Sequence, residues 1–174
     1  MVELVEHRSV WADDFRSEAA RVTQVLGSSV TAIEHIGSTA VPGLVAKPVI
    51  DLAACAAADV DPFGFEPLLG ELGYRQHSSG PKNHGVYVRT SAGVRTHILH
   101  VFAAAAWEHC NQRLFRDALL QDPVARQRYA ELKRSLAGLG DGRDYTAGKL
   151  DLVQEVLNAE RARRGLGPTS AWDK

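Results

Sequence analysis

Residues Thr31–Ala54 read TAIEHIGSTAVPGLVAKPVIDLAA. Residues 30–36 are rich in β-branched side chains and predict a short strand. Pro42 and Gly43 punctuate a turn, and Lys47-Pro48 opens a second strand over residues 48–55. The run VIDLAAC is almost continuously apolar, which predicts a central strand covered on both faces. Asp51 interrupts it, and a lone carboxylate there is costly unless it is paired or holds a cation. Gly37-Ser38-Thr39 closes the first strand. Glycine lets backbone approach a ligand closely, and successive N–H groups with a hydroxyl can bind phosphate oxygens. Each half has a plainer reading: a strand-ending turn, or an ion pair of Asp51 with Lys47 or Arg95. Together they predict a phosphate site beside a carboxylate suited to a hard cation such as Mg²⁺.

Outward from this stretch, Ser9 precedes Val10, Trp11, Phe15, Ala19, Val22 and Leu26, a helical stripe that Gly27 ends. Asp59-Val60-Asp61-Pro62 predicts a turn and helix start, with Phe65, Leu68, Leu69 and Leu72 on the apolar side and Gly73 as the stop. Residues 73–77 predict a short edge strand. Val86 to Arg89 and VRTHILHVF (94–102) predict two strands around Ser91-Ala92-Gly93. Helices are expected over Trp107–Leu120, from Asp122-Pro123 to Leu136, and over Tyr145–Arg163, with a loose connection at Gly138, Gly140 and Gly142. The fold class is therefore α+β: a mixed sheet with helices on one face and a C-terminal helical group. One domain over residues 1–165 and a flexible tail over 166–174 are expected.

The chain has 174 residues, 45% of them hydrophobic and 24% charged, with a net charge of −1. That balance carries no strong nucleic-acid or membrane signal. Cys55 and Cys110 follow no metal-type spacing, and Cys55 reads as a buried thiol. The first residues lack a signal-peptide pattern and no apolar run approaches about 18 residues, so a cytoplasmic protein is expected. The oligomeric state is left open.

The segments EHIGSTAVPGLVAKPVIDL, RTHILHV, LFRDALLQDP, YAELKRSL and DYTAGKLDLV, spread from Val5 to Ala162, together resemble the GrpB family. That family is grouped with the nucleotidyltransferases, whose fold is polymerase-beta-like. The resemblance implies transfer of a nucleotide monophosphate from a nucleoside triphosphate with metal assistance. It assigns the glycine-serine turn to Gly37 and Ser38, and the first acidic position, the expected metal ligand, to Asp51. The second acidic position falls on Ala53, and the later strand offers His97 and His100 in place of a carboxylate.

On that strand His100 shares a face with Thr96 and Ile98 while His97 points away, so His100 is favoured as the catalytic partner of Asp51. Lys47 and Arg95 are candidates to neutralise phosphate. Taken singly each reads as a solvated charge. Tyr145 and Lys149 lie one turn apart on the last helix, and the resemblance implies that they face the ligand. Arg126, Arg128, Glu131, Lys133 and Arg134 read as a solvated helix face. The leading expectation is a cleft that binds a nucleotide or phosphorylated small molecule. The first alternative is a non-catalytic binding module, because position 53 is not acidic. The second is a metal-dependent hydrolase built on Asp51, His35 and His100.

Overall fold

The computed structural model describes residues 2–138 and 142–171. Helix α1 (Val10–Leu26) leads into β1 (Val30–Ile36) and β2 (Ile50–Ala56). A short helix α2 (Glu66–Leu69) precedes the edge strand β3 (Tyr74–Gln76) and the hairpin of β4 (Gly85–Ser91) and β5 (Val94–Phe102). Four helices follow: α3 (Asn111–Gln121), α4 (Pro123–Ala137), α5 (Gly142–Ala147) and α6 (Leu150–Arg163). The strands form one sheet in the order β1-β2-β5-β4-β3. β2 runs parallel to β5 and every other pairing is antiparallel.

The apolar run of β2 is an interior strand, flanked by β1 and β5, as its composition predicts. On one face Trp11, Val22 and Leu26 of α1 pack with Ile50, Leu52, Ala54, Leu99 and Val101. On the other, Ile36, Ala53, Cys55 and Phe102 meet Trp107 of a 3-10 turn over 104–109 and Cys110 just after it. Both cysteines are free and buried. A third core joins Val41, Leu44 and Val45 to Leu119, Ala125, Tyr129 and Val156 of the helical group. The linker between β1 and β2 is thus plugged into the C-terminal helices, which holds the Gly37-Ser38 turn between sheet and helices.

Two polar clamps complete the assembly. Glu18, buried on α1, accepts a hydrogen bond from the Tyr74 hydroxyl at 2.9 Å and pairs with Arg89 at 2.7 Å and Arg21 at 3.0 Å. Glu34 on β1 pairs with Arg113 and Arg116 of α3 at 2.9 and 2.8 Å. At the start of α4 Asp122 accepts from the N–H groups of Val124 and Ala125, with Pro123 in the first turn, as expected.

Three expected helices differ. The helix expected to begin at Pro62 is only α2 with a 3-10 turn over Gly70–Leu72. The Asp61 carboxylate accepts from Phe63 N, which stabilises a local turn in place of a helix start, and Pro67 takes the first-turn position. The helix expected from Trp107 is broken at Cys110, whose ψ of 129° is extended. The helix expected from Tyr145 is two, α5 and α6, separated at Gly148-Lys149. There the chain presses on α4: a Cβ on Gly148 would overlap Leu136.

Part of the expected tail, 166–171, lies back along α6. Thr169 N donates to Asn158 Oδ1 at 3.1 Å and Ala171 N to Gln154 Oε1 at 2.7 Å. Residues 172–174, and Gly140 of the expected connection, fall outside the described residues. No helix among the described residues is long and apolar enough to cross a membrane.

Candidate functional site

β1 ends in Gly37 at φ 71°, ψ −174°, a conformation open to glycine. This bend turns the chain into a short 3-10 segment, Ser38–Ala40. It also brings the Gly37 backbone against the Asp51 carboxylate, since a Cβ there would overlap Asp51 Oδ2. Asp51 is the second residue of β2, paired with Ile36 on one side and Ile98 on the other, and is partly exposed. Turn and carboxylate are therefore adjacent, as the sequence suggested. Gly37→Ala is expected to lower stability by about 2 kcal/mol, through left-handed strain and the displaced carboxylate. Urea unfolding of the variant measures it.

Ser38 does not stand alone. Its hydroxyl accepts from Lys133 Nζ at 2.8 Å and is hydrogen-bonded to Tyr129. Both partners come from α4, and Lys133 is 2% exposed. Lys47 and Lys149 bracket Tyr145, with their ammonium groups 4.5 and 4.3 Å from its ring centroid. Lys133 lies 5.0 Å from the Tyr129 ring. Such cation–ring contacts hold ammonium groups in place without neutralising them. Burial pushes the Lys133 ammonium down to about 7, Lys149, Arg134 and Lys47 push the same way, and Asp51 opposes them. Burial raises the Tyr145 hydroxyl to about 12. Burial also raises Tyr129, helped by Tyr145 and Asp51 and opposed by its bond to Ser38. Three lysines, two tyrosines, one serine and one aspartate thus form a single electrostatic unit.

The sequence placed Lys133 on a solvated face, and the structure corrects this. Ala125, Tyr129 and Lys133 repeat every four residues and share the buried stripe of α4. Lys149 keeps its place over Tyr145 although the helix between them is interrupted.

Other expected site residues go elsewhere. The Thr39 hydroxyl is committed to Val49 O at 3.3 Å and to His35 Nε2 at 3.0 Å, which ties the turn to the entry of β2. His35 stacks on Phe15 of α1, 4.7 Å between ring centroids, and burial pushes it down to about 4, with Arg116 and His7 adding. It adjoins Ile36, the residue opposite Asp51, and so points from the other side of the sheet. The Asp51–His35–His100 metal set is therefore not assembled, and no group of three His, Cys, Asp or Glu residues that could hold a metal occurs among the described residues. Arg95 is exposed at the β4–β5 turn, opposite Thr90, and joins none of the contacts above.

His97 and His100 do face opposite ways. A bulge between Arg89 and Thr90 shifts the register near Thr96, and His97 lies with Trp11, Glu18 and Arg89 along a cavity of about 470 Å³ beside α1. His100 is on the Asp51 face, opposite Ala53 and two pairs beyond the Asp51–Ile98 pair. Its ring Nδ1 lies 2.9 Å from Nε2 of His84. His84 itself is 1% exposed and stacked on Phe102 at 4.3 Å.

As donors for Mg²⁺, these groups supply one carboxylate amid three ammonium groups. A hard dication needs more oxygen than that, so among the described residues this cluster does not by itself make a resident Mg²⁺ site.

The fold is α+β, a mixed sheet packed with helices. The described GLD-2/RNP-8 complex shares it at TM-score 0.57 and 11% identity, over 90% of this chain and 61% of that one. The chain belongs to the GrpB family, whose "GrpB protein" description matches residues 1–159. It is 34% identical over 168 residues to the glutamate-rich protein GrpB of Alkalihalophilus pseudofirmus, covering 90% of this chain and 94% of the relative. The UPF0157 protein BH1888 of Halalkalibacterium halodurans is 33% identical over 165 residues, covering 92% and 83%. The crystal structure of conserved protein GrpB from Enterococcus faecalis superposes at TM-score 0.82 with 24% identity, over 94% of this chain and 99% of that one.

Proposed function

We propose that the protein binds a nucleotide or another phosphorylated small molecule at the Ser38–Asp51–Lys133 cluster, and that it transfers a nucleotide monophosphate from a bound triphosphate. The observation that carries this reading is the convergence of Lys47, Lys133 and Lys149 around one carboxylate and the Ser38 hydroxyl. Ammonium groups held against aromatic rings, in a chain of net charge −1, are an arrangement suited to a compact polyanion. Lys133, Lys47 and Lys149 hold the phosphate oxygens and offset charge at the transferred phosphoryl group. His100, on the same face, takes the proton of the acceptor hydroxyl. Mg²⁺ belongs to this reading only as a companion of the triphosphate, whose oxygens supply the donors that Asp51 lacks.

Titration calorimetry with ATP, GTP, CTP and UTP, each with and without Mg²⁺, tests it. Without Mg²⁺, Asp51→Asn is expected to bind the triphosphate about threefold tighter, because a like charge has been removed. With Mg²⁺ the wild type is expected to gain affinity and the variant to gain none. If no nucleotide binds at millimolar concentration, the reading fails.

Ala53, where the resemblance puts a second acid, favours a non-catalytic binding module as the second reading. Nucleotide-dependent pyrophosphate release, lost in Asp51→Ala, selects the enzyme. Binding without release selects the module.

A further inference from the structure

We propose that Asn83 and His84 are positioning residues that hold His100 in its Nδ1–H form, so that Nε2 is the hydrogen-bond and proton acceptor on the Asp51 face. This rests on the reading of His100 as the group that receives the acceptor's proton.

The bonds form a directed chain. His84 Nδ1 lies 2.7 Å from Asn83 Oδ1 and His84 Nε2 lies 2.9 Å from His100 Nδ1. An amide oxygen only accepts, so His84 Nδ1 carries the hydrogen. A neutral imidazole has one N–H, so His84 Nε2 is an acceptor and the hydrogen between the two rings belongs to His100 Nδ1. The lone pair of neutral His100 is then on Nε2. Burial pushes His84 down to about 4, which removes the imidazolium form that would donate to His100 and reverse this assignment. His84 is sealed against solvent and its ring is stacked on Phe102, so it cannot easily turn over. It sits one residue before the Gly85–Val101 pair that opens β4.

The geometry also places the base usefully. His100 is opposite Ala53, on the face that carries Asp51. In the proposed transfer the acceptor O–H breaks and its proton goes to His100 Nε2. The freed oxygen bonds the α-phosphorus, and the bridging P–O bond breaks so that pyrophosphate leaves with its electron pair. A histidine in the opposite tautomer would present an N–H there and could not take that proton.

The test is long-range ¹H–¹⁵N correlation spectroscopy on ¹⁵N-histidine-labelled full-length protein at pH 8, with the signals assigned from His84→Phe and His100→Gln. The expected result is a protonated Nδ1 and an unprotonated Nε2 in both His84 and His100. In Asn83→Ala, which leaves both rings in place, His84 loses its anchor and both histidines are expected to shift toward Nε2–H. A wild-type His100 protonated on Nε2 overturns the proposal, and so does an unchanged tautomer in Asn83→Ala. Neither outcome depends on nucleotide binding, so failure here is separable from failure of the calorimetric test. Where pyrophosphate release is measurable, Asn83→Ala is expected to slow it about tenfold while leaving triphosphate affinity unchanged. An equal loss in affinity would instead mark Asn83 as a merely structural residue.

Discussion

Glu18→Ala is expected to lower the unfolding free energy by about 3–5 kcal/mol, the range for removing one partner of a buried charged network. The Glu18 side chain is 4% exposed and takes part in three interactions at once, with Tyr74, Arg89 and Arg21. Arg21 is half in solvent and rehydrates when the carboxylate goes, so it adds little to the loss. Arg89 and Tyr74 are different. Arg89 is 21% exposed on its side chain, and Tyr74 is fully buried with its hydroxyl aimed at Glu18. Tyr74 is left with an unmet bond where water does not reach, and Arg89 loses its partner at the wall of the cavity beside α1. Because these partners sit on β3 and β4, the clamp joins the first helix to the far edge of the sheet across a long stretch of chain. Urea unfolding of Glu18→Ala and Glu18→Gln measures it. Glutamine keeps an acceptor for Tyr74 and should lose less. A loss below 1 kcal/mol for alanine would show that α1 is held by its apolar stripe alone.

The segment Thr31–Ala54 was legible because its signals are local and agree. β-Branched residues, a glycine at positive φ and a continuous apolar run each specify their own backbone, and β1, the turn and β2 follow. The pairing of Ser38 with Lys133 was not legible, since the two are 95 residues apart and their neighbours describe only their own helix or turn. Lys133 stands among Glu131, Arg134 and other charges that do face solvent, so composition argued against burial while the four-residue spacing from Ala125 and Tyr129 argued for it. Spacing was the better guide, because the helix period decides which face a residue occupies whatever its charge. The breaks at Cys110 and Gly148 follow from tertiary contacts that no local propensity encodes, such as the approach of Gly148 to Leu136. Strand alternation separated His97 from His100 correctly, and it also contained the reason that His35 cannot join Asp51.

Lys133→Met is expected to weaken triphosphate binding about 10- to 100-fold, the worth of one charge-assisted hydrogen bond to an anion, while making the empty protein more stable. The two effects have the same source. Burial and the neighbouring cations hold the Lys133 ammonium down to about 7. The folded protein therefore resists a proton that the unfolded chain accepts up to about pH 10.4. Between these values the unfolded state binds more protons, so wild-type stability rises with pH across the window, and the penalty is fully present below pH 7. Methionine of similar length carries no such penalty, and its advantage is expected to be about 2 kcal/mol at pH 6, shrinking as pH approaches 10. Ser38 keeps its bond to Tyr129 in the variant, which limits the loss from the missing ammonium. A bound polyanion reverses the balance: its charge favours the ammonium form, so binding at pH 8 should draw up to one proton onto Lys133. Calorimetry in buffers of different ionisation heat counts that proton, and Lys133→Met should abolish the uptake. A variant less stable than wild type at pH 6, or wild-type binding without proton uptake at pH 8, would show that Lys133 is a structural tie for the Ser38 turn and not the charge that the ligand completes.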